Sequence, residues 1–260
     1  MPYLTHKHAI VTGGGRGIGA AIASELARLG ASVTVMGRDE RALDQCAAHL
    51  AAEHRVRALP VVCDVSDEAS IDGAFARARE SLGEPYVLVN NAGQASGASL
   101  TEMDRGMWDD MMAVNLTGPY LCARAVLPAM ITAGMGRIVN ISSTAGLRGY
   151  ARLSAYCASK HGVIGLTRAL AQETAKAGIT VNAVCPGYTE DTSMVRQAID
   201  VLMKNMAITE NEATEMILRR SPRRAFVRQA EVANAVAWLC SPDATAITGQ
   251  AIAVAGGEVT

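Results

Sequence analysis

The stretch that decides the fold is Thr12-Gly13-Gly14-Gly15-Arg16-Gly17-Ile18-Gly19. It follows a short apolar run, His8 to Thr12, and opens an amphipathic segment, Ile18 to Leu29. The run predicts a buried strand, and the segment predicts a helix that Gly30 ends. Glycines at such a junction let the chain turn tightly and let a pyrophosphate approach the amide groups at the helix amino end. The stretch therefore predicts a dinucleotide-binding turn.

The same alternation of short apolar runs and longer amphipathic segments continues along the chain. The further runs are rich in valine and isoleucine, and we expect them to be buried strands: Ser32 to Met36, Leu59 to Cys63, Tyr86 to Val89, Arg137 to Ile141, Ile179 to Cys185 and Gln250 to Val254. The remaining expected helices are 40–53, 66–82, 104–132, 155–177 and 230–240. Repeated strand–helix–strand units predict an α/β fold with a doubly wound parallel sheet that binds ligands at the carboxyl ends of its strands.

Length and composition indicate one compact domain over residues 1–260. Half of the 260 residues are hydrophobic and 19% are charged, which argues against disorder. The net charge of −1 gives no electrostatic case for nucleic acid or an anionic membrane, and no apolar run is long enough to span a bilayer. The amino-terminal residues resemble no signal peptide, and six cysteines are scattered without metal-type spacing. We therefore expect a cytoplasmic protein with reduced thiols, without disulfides or a metal site.

Candidate catalytic residues occur at Ser143, Tyr156 and Lys160. Tyr156 and Lys160 are four residues apart in a predicted helix, so they share one face. A free tyrosine has a pKa of about 10, and a neighbouring ammonium group is expected to lower that pKa and make the phenol a usable acid and base. Ser143 ends a predicted strand, where its hydroxyl can hold a carbonyl oxygen. The tyrosine–lysine spacing alone is weak evidence, since any amphipathic helix can produce it.

Taken with the glycine-rich turn, these residues resemble the short-chain dehydrogenase/reductase family over essentially the whole chain. Four further motifs carry the resemblance: Asp64-Val65, Asn90-Asn91-Ala92-Gly93, Asn115 and Pro186-Gly187. The resemblance implies a Rossmann-type sheet of seven strands and hydride transfer with a nicotinamide cofactor. It implies a catalytic set of Asn115, Ser143, Tyr156 and Lys160. It implies cofactor contacts from Thr12, Gly13, Gly15, Arg16, Gly17, Ile18, Gly19, Asp64, Val65, Asn91, Ala92, Gly93, Tyr156, Lys160, Pro186 and Gly187.

The end of the second predicted strand bears on which nicotinamide cofactor binds. Family members that use NAD usually carry an acid there, whereas this strand ends Met36-Gly37-Arg38 and the first acid is Asp39. Arg38 and Arg16 can pair with a 2′-phosphate through their guanidinium groups, although both can also be solvated loop residues. We predict NADPH rather than NADH.

The resemblance implies a role for the main-chain carbonyl of Asn115. In the family, the carbonyl at this position holds a water that leads protons to the lysine. Pro119 lies four residues later and has no N–H to donate to that carbonyl in a helix. We therefore expect the carbonyl of Asn115 to be free of a regular helical bond.

The segment 188–221 is a predicted helical insertion that covers the substrate. It is rich in methionine and isoleucine, whose side chains adapt to an acyl chain or a ring, although ordinary packing explains them equally well. A threonine of this segment usually meets the nicotinamide amide in the family; the expected position holds Asp191, and we choose Thr192 over Thr189. The arginines that follow can receive a phosphate of coenzyme A or a carrier protein, or be solvent charges: Arg219, Arg220, Arg223 and Arg224.

By overall likeness the chain is most similar to 3-oxoacyl-thioester reductases, polyketide ketoreductases and 3-hydroxyacyl dehydrogenases. The first hypothesis is reduction of a 3-oxoacyl thioester or related β-keto compound. A second is a dehydrogenase of a cyclic, aromatic or sugar alcohol, and a third is a dinucleotide sensor without turnover. The resemblance also implies a homotetramer.

Overall fold

The computed structural model describes residues 2–259, and it contains one parallel sheet with helices on both faces. The strands are β1 (His8–Thr12), β2 (Ser32–Gly37), β3 (Ala58–Val62), β4 (Pro85–Asn90), β5 (Gly136–Ile141), β6 (Ile179–Pro186) and β7 (Ala251–Val254). They lie in the order β3-β2-β1-β4-β5-β6-β7, and each neighbouring pair is parallel. The predicted strands are all present, with ends within one residue of those expected from the apolar runs.

Nine α-helices occur within the described residues. They are α1 (Gly17–Arg28), α2 (Glu40–His54), α3 (Glu68–Leu82), α4 (Arg105–Met112), α5 (Gly118–Ala133), α6 (Ser154–Thr174), α7 (Ser193–Met206), α8 (Glu210–Leu218) and α9 (Gln229–Leu239). Helices α1, α2 and α9 bury their apolar stripes against one face of the sheet. Helices α3, α5 and α6 cover the other face, so valine and isoleucine in the central strands are buried on both sides.

The predicted helix 104–132 is wrong in one respect, because a π-helical turn at Ala113–Thr117 divides it into α4 and α5. In this turn the N–H of Gly118 donates to the carbonyl of Ala113, five residues earlier. Pro119 provides the physical reason, since a proline in a continuous α-helix has no N–H for the residue four earlier and its ring crowds that carbonyl. The turn widens the helix at Asn115.

The doubly wound order puts the carboxyl ends of β1, β4, β5 and β6 side by side along one edge of the sheet. Four of the predicted site segments lie at these carboxyl ends, in the same order: the glycine-rich turn, Asn90–Gly93, Ser143 and Pro186–Gly187. None of the described helices is both long enough and apolar enough to cross a membrane.

Candidate active site

Helix α6 carries the tyrosine–lysine pair into the interior. The side chains of Tyr156 and Lys160 are 5% and 4% exposed, and the lysine Nζ lies 5.7 Å from the centroid of the tyrosine ring. Nζ donates a hydrogen bond of 2.9 Å to the main-chain carbonyl of Ile141 at the end of β5. The four-residue spacing thus places both groups on one buried face, at the carboxyl edge of the sheet.

Burial controls the ionisation of both groups. It raises the pKa of Tyr156 to about 12, and the hydrogen bond with Ser143 opposes that rise. It lowers the pKa of Lys160 to about 8, because a buried ammonium group loses its hydration. The expectation that Lys160 lowers the pKa of the phenol is therefore wrong for this arrangement. Its ammonium group lies against the ring and bonds the carbonyl of Ile141, so the effect of burial dominates.

The two serines at the end of β5 have different partners. The hydroxyl oxygen of Ser143 accepts the N–H of Ala145 at 3.1 Å and so caps a short 3₁₀ turn, Thr144–Gly146. The buried Ser142 donates to the carbonyl of Lys160 at 3.0 Å, so its hydroxyl joins the end of β5 to α6. A Cβ on Gly146 would overlap with Ser142 Oγ and lie 2.7 Å from the carbonyl of Lys160. Only glycine lets the turn pack this closely on α6.

Asn115 is fully buried in the π-helical turn. Its Oδ1 accepts the N–H of Gln94 at 2.9 Å, and its Nδ2 donates to the carbonyl of Gln94 at 2.8 Å. A Cβ on Gly93 would lie 3.2 Å from Oδ1 of Asn115 and 3.5 Å from Nζ of Lys160, so the three residues converge. Because Pro119 has no N–H, the carbonyl of Asn115 lacks the partner that a regular α-helix would supply.

The glycine-rich turn has the shape of a phosphate cradle. Gly13 and Gly17 have φ of 63° and 56°, which favours glycine, and a Cβ on Gly19 would overlap with the carbonyl oxygen of Gly13. Among the described residues, no side chain caps the amino end of α1; its first turn carries no acid, and Arg16 at the N-cap position is exposed. A Cβ on Gly17 would meet nothing within 4 Å. Open space beside uncapped N–H groups fits a pyrophosphate.

The segment after β4 is attached directly to this turn. Thr12 Oγ1 accepts the N–H groups of Asn91 and Ala92, each at 3.1 Å. The side-chain amide of Asn91 donates back to the carbonyls of Thr12 and Gly13 at 3.0 and 3.1 Å. Thr12 and Asn91 thus hold the loops after β1 and β4 together, while Gly15 lies in the glycine-rich turn and Ile18 in the first turn of α1.

The loops after β2 and β3 lie together at the next part of the edge. Arg38 is exposed, and Asp39 uses Oδ1 to accept the N–H of Ala42 as the N-cap of α2. The pKa of Asp64 is lowered mainly by hydrogen bonds from Ser66, with a smaller contribution from the charge of Arg38. The side chain of Asp39 is therefore engaged by α2, whereas the guanidinium group of Arg38 belongs to no ion pair in the part of the chain that the structure describes. Val65 is buried beside these loops.

Both candidate threonines of the loop after β6 donate hydrogen bonds to main-chain carbonyls of that loop. Gly187 is attached to β7 through its N–H, which donates to the carbonyl of Val254 at 3.0 Å. Thr189 is buried and donates to the carbonyl of Gly187, whereas Thr192 caps α7 and donates to the carbonyl of Thr189. Asp191 has φ of 54°, so the chain turns sharply between them.

Helices α7 and α8 form the predicted insertion and share a small apolar core of their own. Met194 at the start of α7 approaches the catalytic candidate, since the hydroxyl of Tyr156 lies 3.7 Å from its Sδ. The methionine-rich segment is therefore in contact with the buried phenol.

Three residues of this region escaped the sequence analysis: Thr144, Tyr150 and Glu258. The hydroxyl oxygen of Tyr150 lies 2.8 Å from Thr144 Oγ1 and 2.6 Å from Glu258 Oε1. No local pattern announces a contact between residues 108 positions apart. The one signal available in the sequence was Glu258 itself, a carboxyl group in an otherwise apolar, glycine-containing tail.

A sequence profile described as short chain dehydrogenase matches residues 7–201. The chain belongs to the short-chain dehydrogenase family. It is 42% identical over 251 residues to the granaticin polyketide synthase putative ketoacyl reductase 1 of Streptomyces violaceoruber, covering 96% of this chain and 92% of that protein. It is 41% identical over 254 residues to the acetoacetyl-CoA reductase of Rhizobium meliloti, covering 96% and 97%.

Among solved structures, a single-site variant of actinorhodin polyketide ketoreductase crystallised with NADPH matches with a TM-score of 0.93. The two chains are 41% identical, and the match covers 97% of each. These findings confirm the resemblance drawn from the motifs, and they confirm the Rossmann-type single domain. As a short-chain dehydrogenase, the protein is an oxidoreductase.

Proposed function

We propose that the protein reduces a 3-oxoacyl thioester or a related β-keto compound with NADPH. The observation that carries the proposal is the buried phenol of Tyr156, which is hydrogen-bonded with Ser143 and has Lys160 Nζ 5.7 Å from the centroid of its ring. The names of the ketoacyl reductase, the acetoacetyl-CoA reductase and the polyketide ketoreductase to which the chain is similar support the substrate class.

The proton chemistry follows from these side chains. A bound nicotinamide supplies the hydride. Ser143 and Tyr156 each donate a hydrogen bond to the substrate carbonyl oxygen and stabilise the negative charge that develops there. With its pKa raised to about 12, Tyr156 is protonated at neutral pH and can give its proton to that oxygen, which favours the reductive direction.

Lys160 and Asn115 restore the proton in this proposal. Lys160 would hold the ribose hydroxyl groups of a bound cofactor, and with a pKa lowered to about 8 it exchanges protons readily near neutral pH. The carbonyl of Asn115 holds the water that leads protons to it. Gly93 supports this role, because its lack of a side chain lets Asn115 and Lys160 approach each other.

NADPH is supported by the loop after β2. Arg38 and Arg16 are exposed and belong to no ion pair among the described residues, while Asp39 is engaged as a helix cap. A 2′-phosphate gains charge-assisted hydrogen bonds from such guanidinium groups. The NADPH in the similar ketoreductase structure agrees with this choice.

Three further parts of the proposal concern the chain as a whole. Helices α7 and α8 cover the substrate, which is supported by the contact of Met194 with Tyr156. The protein is a homotetramer, which is supported by exposed apolar side chains on α5 and α9: Tyr120, Ile131 and Trp238. It works in the cytoplasm, in keeping with six free cysteines. The molar mass measured by light scattering during size-exclusion chromatography tests the tetramer.

The test is the oxidation of NADPH and of NADH with a panel of β-keto thioesters, cyclic ketones and aliphatic ketones. We expect turnover with β-keto thioesters and NADPH. Preferential turnover of a cyclic or aromatic ketone would replace the substrate class, and no turnover with any of them would refute the proposal.

The cofactor choice has its own variant. Arg38→Ala is expected to raise KM for NADPH by about 10- to 100-fold, the effect of losing a hydrogen bond to a charged group, and to leave KM for NADH unchanged. Arg41→Ala removes an exposed arginine in the first turn of α2 and serves as the matched control. Equal effects of Arg38→Ala on both cofactors would contradict the assignment.

A further inference from the structure

Tyr150 lies in the loop that joins Ser143 to Tyr156, and its hydroxyl group connects two distant parts of the chain. On one side it reaches Thr144, the residue directly after Ser143, at 2.8 Å. On the other it reaches the carboxylate of Glu258 at 2.6 Å. The loop that carries the candidate serine is thus attached to the segment after β7.

The direction of the two hydrogen bonds follows from the number of protons. An ionised carboxylate can only accept, so Tyr150 donates its single proton to Glu258. The hydroxyl of Thr144 then donates to the oxygen of Tyr150. The result is a directed chain from Thr144 through Tyr150 to Glu258, ending in a charge-assisted bond of the stronger kind.

Neighbouring residues hold this series of hydrogen bonds in place. Glu258 is 8% exposed, and its Oε2 lies where a side chain on Gly187 would have to fit, 3.1 Å from that position. The Nη1 of Arg148 donates to the main-chain carbonyl of Glu258 at 3.4 Å, a second link from the same loop. The guanidinium groups of Arg148 and Arg220 lie 5.1 and 5.7 Å from the centroid of the Tyr150 ring. Burial and the carboxylate raise the pKa of Tyr150, so its proton stays in place at neutral pH.

We propose that Glu258 is a positioning residue that, through Tyr150 and Thr144, fixes the Ser143 hydroxyl group against the substrate carbonyl. This inference rests on the proposed function. Ser143 and Thr144 are adjacent, and the Ser143 oxygen already accepts the N–H of Ala145 within the turn that Thr144 begins. Holding the Thr144 side chain therefore holds the orientation of the turn and of the hydroxyl that caps it.

The experiment compares Tyr150→Phe, Glu258→Ala and their double variant. Each single change interrupts the series of hydrogen bonds from Thr144 to Glu258. Each is therefore expected to lower kcat by about 10-fold, part of the roughly 100-fold that a 1 Å displacement at an active site can cause. KM for NADPH is expected to stay within two-fold. The double variant is expected to be no slower than either single variant, since both remove the same link.

Two controls separate positioning from general stability. Glu258→Gln keeps an acceptor for Tyr150, and we expect it to restore most of kcat. Tyr3→Phe removes another phenol hydroxyl, which donates to the carbonyl of Ala237 at 2.6 Å. We expect it to lower the melting temperature about as much as Tyr150→Phe does and to leave kcat unchanged.

A second readout does not depend on the substrate. Hydrogen exchange of the amides of 144–150 is expected to accelerate in Tyr150→Phe and Glu258→Ala, but not in Tyr3→Phe. Faster exchange with unchanged kcat would refute the positioning role. A raised substrate KM in Tyr150→Phe alone would make Tyr150 a substrate contact and overturn the inference. If the wild-type protein reduces no β-keto compound, the proposed function fails, and unchanged exchange in Glu258→Ala would separately overturn the link.

Discussion

Replacing Lys160 by methionine should stabilise the protein while abolishing its activity. The buried ammonium group has a pKa of about 8 instead of 10.5, so the fold holds a charge that it disfavours. At about 1.4 kcal/mol per pH unit, this penalty is about 3 kcal/mol at pH 7. Lys160→Met removes the penalty and also the hydrogen bond to the carbonyl of Ile141, which contributes about 1 kcal/mol. The expected net gain is about 2 kcal/mol.

The gain should depend on pH in a defined direction. The pKa of Lys160 is lower in the folded state than in the unfolded state, so the unfolded chain binds more protons between about pH 8 and 10.5. The stability contributed by this site therefore rises across that window in the wild-type protein, and it is lost as the pH falls towards 8. The advantage of Lys160→Met should be largest at pH 7 and disappear above pH 10.5.

Urea denaturation at pH 7, 9 and 10.5 measures the effect, with the protein concentration held constant. Lys176→Met is the matched control, because Lys176 is exposed just after the same helix and should give no gain at any pH. A Lys160→Met protein that is less stable than the wild type at pH 7, or a gain that persists unchanged at pH 10.5, would refute the reasoning.

Three further results are expected. Tyr156→Phe removes only the proton-bearing oxygen and should lower kcat by about 10²- to 10⁴-fold with an unchanged melting temperature; turnover within a few-fold of the wild type would contradict its role. Gly19→Ala introduces a Cβ 2.5 Å from Asn91 Nδ2, so it should destabilise the protein by about 1–3 kcal/mol and weaken NADPH binding. Thermal unfolding measures the first effect and nucleotide fluorescence the second. The control Gly73→Ala places its Cβ in open space on a helix and should be neutral or stabilising. Burial raises the pKa of five of the six thiols, so a thiol reagent at pH 8 should label the native protein slowly and the denatured protein fast; rapid labelling of the native protein would contradict this.

The strands and the edge of the sheet could be predicted because the local pattern and the tertiary environment agree. A central strand of a doubly wound sheet is buried on both faces, so its sequence is a continuous apolar run, as in Val87 to Val89. Motifs that follow such runs are carried to one edge by topology alone. The relative placement of Ser143, Tyr156 and the glycine-rich turn needed no further information.

Two features depended on the folded environment. The pKa of Tyr156 rises because burial outweighs a lysine that bonds elsewhere, and burial of a single hydroxyl is not readable from the spacing of two residues. The contact between Tyr150 and Glu258 depends on where the chain passes after β7. The π-helical turn was predictable only in part. Pro119 indicated an interrupted hydrogen bond, but the helical periodicity continued through the turn.

The bonds between Thr12 and the Asn91 segment also bear on how the chain folds. They join residues 79 and 80 positions apart, at the place where β1 pairs with β4. Non-local contacts of this kind form only after a long loop has closed, which slows folding. The cofactor half (β1 to β3) and the catalytic half (β4 to β7) can each gain helices and local strand pairs before that step. Regain of activity during refolding should therefore lag behind regain of helical signal, and the delay would report the joining of the two halves.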